Sequence, residues 1–211
     1  MPPAPDAAIG LSRRAVLQGG ALAAGLLVAI ELPWSAARAA MTSAPEPVPT
    51  GQRFNAFIHI APDDRVTFTL PAVEMGQGVY TSQSQCIAEE LDVALDEVVA
   101  AHAPPDQANY GSPVFVVQAT GGSTTTMAWS GPLRKAGATA RALLVAAAAA
   151  RLRVDAASLT TENGVITHAA SNRSLRYGEV ADAASRLKPP TEVALKDPAR
   201  FRLIGLSLIH I

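Results

Sequence analysis

The sequence predicts an α+β fold, and three observations carry that prediction. Residues 54–70 alternate apolar and polar with a period of two, residues 123–153 are Ala-rich and helical in pattern, and strand and helix signals are interspersed without strict alternation. That last feature disfavours a doubly wound α/β sheet. Of 211 residues, 49% are hydrophobic and 17% charged, with a formal net charge of −1. Such a chain can build a cored domain and is too apolar to remain disordered. It has no basic stripe, so no nucleic-acid partner is expected.

Each element has a local reason. Phe54, Ala56, Ile58 and Ile60 share one face, Pro62-Asp63-Asp64 turns the chain, and Val66, Phe68 and Leu70 share a face of the next segment. This predicts a β-hairpin, with His59 on the opposite face and without a chemical role. Ile87, Leu91 and Leu95 predict a helix over 80–94, with Glu89, Glu90 and Asp92 on its other faces. A third strand is expected over 98–103, then an irregular connection over 104–113. The helix over 123–153 should kink or split near Gly131, because Pro132 removes a hydrogen bond and clashes with the preceding turn. Asn163-Gly164 between two β-prone segments predicts a two-residue hairpin. Residues 177–187 form a short amphipathic helix, stopped by Lys188-Pro189-Pro190.

Cys86 is alone, which excludes an internal disulfide and a cysteine metal site and suits a small core residue. His59, His102, His168 and His210 lack the spacing of a zinc site, and no protein metal ligand is assigned.

The N-terminus has the order of a secretory signal. Ser12-Arg13-Arg14 precedes an apolar run over 21–30, and Ala37-Arg38-Ala39 offers a cleavage site. Paired arginines point to the twin-arginine route and hence the periplasm. The apolar run is shorter than the ~20 residues that span a bilayer; retained as an anchor, it would leave the protein membrane-associated. The expected organisation is a signal peptide over 1–40, a Pro-rich linker over 41–52 (Pro45, Pro47, Pro49), a domain over 53–205 and a tail over 206–211.

Chemistry concentrates in two glycine-rich loops. Glu74-Met75-Gly76-Gln77-Gly78 follows a strand, and Ala119-Thr120-Gly121-Gly122-Ser123-Thr124-Thr125-Thr126 leads into the long helix. Glycines let a backbone approach a ligand closely, and hydroxyls at a helix start give an anion neutral donors beside the positive end of the dipole. The two loops are read as two walls of one cofactor site. Glu74 is read as a carboxylate holding its own loop, with direct substrate contact as the alternative.

Residues 74–81, Glu74-Met75-Gly76-Gln77-Gly78-Val79-Tyr80-Thr81, resemble the E-M-G-Q-G-x-x-T loop of the molybdopterin-binding large subunits of the xanthine dehydrogenase and aldehyde oxidase family. Ala88-Glu89-Glu90-Leu91 and the Gly121–Thr126 run are similar too, and the resemblance extends over 13–205. It implies part of a large mixed molybdenum domain. Molybdopterin cytosine dinucleotide would be held by Gly76, Gln77 and Gly78 on one side and by Gly122, Ser123, Thr124 and Thr126 on the other. It also implies an oxidoreductase that hydroxylates N-heteroaromatic small molecules or oxidises aldehydes with oxygen from water. Electrons would leave through iron–sulfur clusters on a partner small (alpha) subunit towards a cytochrome or another acceptor.

The family's catalytic glutamate belongs to a motif this chain does not contain, so no catalytic residue is assigned, and the fragment alone is expected to be inactive. Leu206-Ser207-Leu208-Ile209-His210-Ile211 departs from the resemblance and reads as the translation of a sequencing-library adapter, an artefactual tail on a gene fragment. The alternative is a non-catalytic periplasmic binding module for a phosphorylated ligand. A hydrolase using Ser123 or Ser130 is the third reading, disfavoured by the lack of a G-x-S-x-G elbow.

Overall fold

Strand β3 (Val66–Leu70) is the centre of the fold: it pairs on both sides, and all five of its residues are buried. The computed structural model describes residues 52–206, so the expected signal segment, the linker before Gln52 and residues 207–211 lie outside it. β3 belongs to a four-stranded sheet in the order β1 (Gln52–Arg53), β2 (Ile58–Ile60), β3, β4 (Val98–His102). The β1–β2 and β2–β3 pairs are antiparallel, and β3–β4 is parallel.

The predicted hairpin forms with Ile58 opposite Phe68 and Ile60 opposite Val66, and this face enters the core. Its first strand is shorter than the alternation suggested. Asn55 accepts the Phe57 N–H at 2.9 Å and donates to the Ala136 carbonyl at 3.2 Å, which competes with the ladder before Phe57, whose carbonyl still accepts the Thr69 N–H at 2.8 Å.

A parallel pair needs a crossover, and helix α1 (Val79–Leu91) supplies it between β3 and β4. It stops before the predicted Ala94, because Asp92 adopts the left-handed conformation (φ 60°) and returns its N–H to the Ala88 carbonyl. The connection over 104–113 contains one helical turn, α2 (Gln107–Tyr110), whose Asn109 N–H is capped by Asp106.

Helix α3 (Thr125–Leu152) continues through Pro132 and is not split near Gly131. Trp129 and Leu133 are buried on either side of the proline and Arg134 is anchored by Glu90, so tertiary contacts hold helical geometry against the missing bond. A second, antiparallel sheet consists of β5 (Thr160–Glu162), β6 (Val165–His168) and β7 (Arg173–Arg176). Its first turn is the expected one, with Asn163 and Gly164 both at positive φ (45° and 71°). β7 escaped prediction because only Leu175 of its four residues is buried, which leaves no alternation to read. Helix α4 (Tyr177–Ser185) ends two residues early.

Helices α1 and α3 lie side by side in the same direction, and Gly137 sets their separation. A Cβ at Gly137 would lie 2.5 Å from the Ile87 carbonyl oxygen and 3.1 Å from the Glu90 Cβ. Beside this contact the acids that the sequence puts off the apolar stripe of α1, Glu89, Glu90 and Asp92, are all buried. Each is matched. Glu89 Oε2 accepts the consecutive N–H groups of Arg202, Leu203 and Ile204 at 2.9, 2.7 and 3.1 Å. Glu90 takes Arg134 Nε and Nη2 at 2.9 and 2.7 Å and the Lys196 N–H. Asp92 receives Arg141 at 3.0 Å, the Lys196 ammonium and the Thr161 hydroxyl. The carboxylates thereby fasten residues 196–204, which have little regular structure, to α1.

Two expected outcomes test this packing. Gly137→Ala gains helix propensity, worth ~1 kcal/mol, but a methyl 2.5 Å from a backbone oxygen cannot be relieved by a side-chain rotation. Overpacking of about 1–3 kcal/mol should win, so denaturant unfolding of the natural gene product should show a net loss of stability.

Burial pushes the Glu89 carboxyl up, but the N–H groups of Leu203, Ile204 and Arg202, with the Lys196 charge, outweigh it and hold the group below the usual range. A depressed native pKa gives stability that is complete above the unfolded value of ~4.3 and lost as pH falls through the native one. Tryptic cleavage after Lys196, Arg200 and Arg202 should therefore be slow at pH 7 and fast in Glu89→Gln. By hydrogen exchange, wild-type residues 196–204 should loosen only below the ordinary carboxylate range.

Candidate functional site: a cleft between two glycine-rich loops

The chain leaves β3 at Leu70 and turns through residues 71–78 into α1, so the first glycine-rich loop sits at the carboxyl end of the parallel strand pair. Glu74 organises it. Its carboxylate accepts N–H groups from Gly76 (2.7 Å), Gly78 (3.0 Å) and Tyr80 (3.0 Å) at the start of α1. The bond from Tyr80, then those from Gly78 and Gly76, outweigh desolvation and lower its pKa. Gly76 and Gly78 have φ of 94° and 76°, which the tight curl around one carboxylate requires. Gln77 folds back onto the same loop, donating to the Val73 carbonyl at 2.8 Å and accepting the Met75 N–H. Its amide keeps one N–H and one lone pair for another partner.

The second loop faces the first. Val73 N–H donates to the Thr120 hydroxyl at 2.9 Å. Gly122 has φ 61°, and a Cβ there would lie 3.1 Å from the Phe115 ring, which backs the loop. Thr124 donates its hydroxyl to the Gly121 carbonyl and stands at the N-cap of α3 without capping it.

Between the loops lies an open cleft of about 480 Å³, lined by Met75, Gln77, Val79 and Ser82 on one side and by Thr120–Ser123, Thr125 and Thr126 on the other. The structure thus brings Gln77, Gly122, Ser123 and Thr126 to one shared space. Gly76, Gly78 and Thr124 belong to the same loops but are not among the residues that line it. Thr120, Thr125 and Ser82 escape a reading of the sequence as ligand contacts, although the hydroxyl run contains the first two. Phe115 gives no sequence signal.

No lining residue is charged. Both helix N-termini open into the cleft, each with a partial positive charge that favours an anion by ~0.3–1 kcal/mol. The end of α1 is already occupied by Glu74. The end of α3 has no side-chain cap and no acid in its first turn, leaving its donors available beside Ser123, Thr125 and Thr126. A Cβ built on Gly76, Gly78 or Gly121 meets nothing within 4 Å, so these backbones border open space. Neutral hydroxyls, an uncapped helix start and close backbone access fit a polar, phosphorylated group.

The molybdopterin cofactor-binding domain profile matches residues 34–203. The chain belongs to this family. It is 41% identical over 127 residues to the beta chain of isoquinoline 1-oxidoreductase from Brevundimonas diminuta, covering 60% of this chain and 16% of that relative. A nicotinate dehydrogenase subunit of Pseudomonas putida is 33% identical over 153 residues, covering 72% and 12%. Among solved structures, quinoline 2-oxidoreductase from Pseudomonas putida 86 is similar with a TM-score of 0.47 and 22% identity, over 60% of this chain and 16% of that one. The chain spans less than a fifth of the length of these relatives.

Elsewhere in this molybdopterin cofactor-binding domain, the described residues hold no His, Cys, Asp and Glu group suited to a metal and no helix long and apolar enough to cross a membrane. Cys86 is buried, as expected, and burial raises its pKa. The His59 Nδ1 is buried without a partner, and burial, with Arg53 nearby, lowers the imidazole pKa.

Glu74→Ala tests the loop's organisation. It should speed amide exchange at Gly76, Gly78 and Tyr80, read by hydrogen-exchange mass spectrometry, while β3 and the body of α1 keep their protection.

Proposed function

We propose that this chain forms part of the large subunit of a molybdenum hydroxylase of the isoquinoline 1-oxidoreductase type, acting on N-heteroaromatic or aldehyde substrates. The observation that carries the reading is the convergence of both glycine-rich loops and two helix N-termini on one uncharged cleft. In this reading the cofactor is molybdopterin cytosine dinucleotide. Gln77, with the Gly76 and Gly78 backbone, supports the pterin. Gly122, Ser123, Thr124 and Thr126 bind it or its phosphates at the start of α3. When bound, the cofactor supplies insertion of a water-derived oxygen into an electron-poor carbon with removal of two electrons. The residues here hold and orient it. Glu74 does not act as base, because its oxygens accept three N–H groups and its pKa is lowered.

The names of the relatives support an N-heteroaromatic substrate, and their designation as subunits supports a partner chain. We assign to that small partner the iron–sulfur clusters, with a cytochrome or a similar carrier as acceptor. Ser12-Arg13-Arg14 supports export to the periplasm by the twin-arginine route, and membrane association if the segment is retained.

Molybdenum and pterin content of the natural gene product, expressed with cofactor synthesis intact, tests the reading. Wild type should carry about one of each per chain. Gln77→Ala and Gly122→Val should carry substantially less. The first removes bonds of ~1 kcal/mol each that shape the loop; the second puts a branched side chain at positive φ against Phe115. Lys188→Ala, at an exposed position, should match wild type. Equal occupancy in all four would remove the cleft from the cofactor site.

A further inference from the structure

Among the described residues, one side-chain hydrogen bond ties the first glycine-rich loop to the second. Val73 is held from both directions: its N–H donates to Thr120 Oγ1 at 2.9 Å and its carbonyl accepts from Gln77 Nε2 at 2.8 Å. Gln77 in turn accepts the Met75 N–H, so Thr120, Val73, Gln77 and Met75 form a continuous chain of bonds from the second loop through the first. Thr120 also lines both the cleft and a neighbouring cavity of about 390 Å³ beside Pro71, Val73 and His102. Thr120 therefore stands where the two spaces adjoin, and Val73 lines only the second. The rest of each loop is held from its own side. Residues 75–78 are exposed and bonded within their own loop, and Phe115 supports the second loop from behind.

Resting on the reading of the cleft as the cofactor site, we propose that Thr120 is a positioning residue. Its hydroxyl, by accepting the Val73 N–H, fixes the spacing of the two loops and so the width of the cleft that Gln77 and Ser123 line. Because the hydroxyl is used as acceptor, its own proton stays free to donate to an anionic or carbonyl oxygen in the cleft. The role depends on the oxygen, not on bulk: serine satisfies it and valine, of nearly the same shape, does not.

The experiment compares wild type, Thr120→Ser and Thr120→Val in the full natural gene product, with two readouts. Hydrogen-exchange mass spectrometry follows the peptide spanning residues 71–79, and metal and pterin analysis follows cofactor retention during dialysis. In Thr120→Val, exchange at Val73 and Met75 should rise about two- to tenfold, the range one hydrogen bond of ordinary net strength supplies, and cofactor should be lost faster. Thr120→Ser should match wild type in both. Unchanged exchange in Thr120→Val, or equal loosening in Thr120→Ser, would overturn the clamp. Faster exchange with unchanged cofactor retention would overturn its link to cleft width. Wild type without any bound pterin would instead overturn the cofactor reading, while the exchange arm still decides the clamp.

Discussion

The contact of α1 with α3 at Gly137 is the constraint on which the cleft depends. With the Ile87 carbonyl oxygen only 2.5 Å from where a Cβ would stand, the helices approach to backbone contact. The parallel pairing of β3 and β4 fixes the direction of α1, since the crossover must return the chain to the start of the next strand. Contacts of Val79 and Ser82 with the space beside Thr125 and Thr126, of Ile87 with Gly137 and of Asp92 with Arg141 follow in the same order, so α3 runs in the same direction. Both N-termini therefore point the same way, beyond the carboxyl ends of β3 and β4, where ligands of open α/β units ordinarily bind. The loops are small; the scaffold decides that they face each other.

The same alignment creates an electrostatic problem at the other end. Glu89, Glu90 and Asp92 stand at the C-terminus of α1, where the dipole disfavours negative charge, and burial removes the water that would screen them. Arg134, Arg141 and Lys196 offset this, together with three backbone N–H groups given to Glu89. An ion cluster of this sort adds little net stability compared with apolar packing. What it fixes is position: residues 196–204 have no ladder or long helix of their own, and the carboxylates specify where they lie.

Much of this is legible in the sequence where the signal is local. Alternation marks the β2–β3 hairpin, Asn163-Gly164 marks the β5–β6 turn, and the two glycine-rich loops, read as facing walls, do line one cleft. The sequence misleads where tertiary contacts dominate. Pro132 stays inside a helix because buried neighbours and Arg134 hold it, and the burial of Glu89, Glu90 and Asp92 gives no local signal because their cations lie 44 to 107 residues away. Gln77 looks like a ligand-facing amide; half of its bonding capacity closes its own loop, which no spacing rule reveals. Thr120 is hidden by similarity to the hydroxyl residues after it.

Glu74 shows how the site divides its tasks. A carboxylate at a helix start could be a base or a cap, and geometry separates the two. A base needs a lone pair aimed at a proton on the substrate and a pKa raised towards working pH. Glu74 instead gives its oxygens to three amides of its own loop, and those bonds shift its pKa the other way. Neutralising it, by protonation or by a proton taken from a substrate, would weaken the bonds that curl the loop and present Gln77. Its charge strengthens the bonds that hold the loop, and with its oxygens turned to three backbone amides Glu74 is a loop-holding group rather than a base.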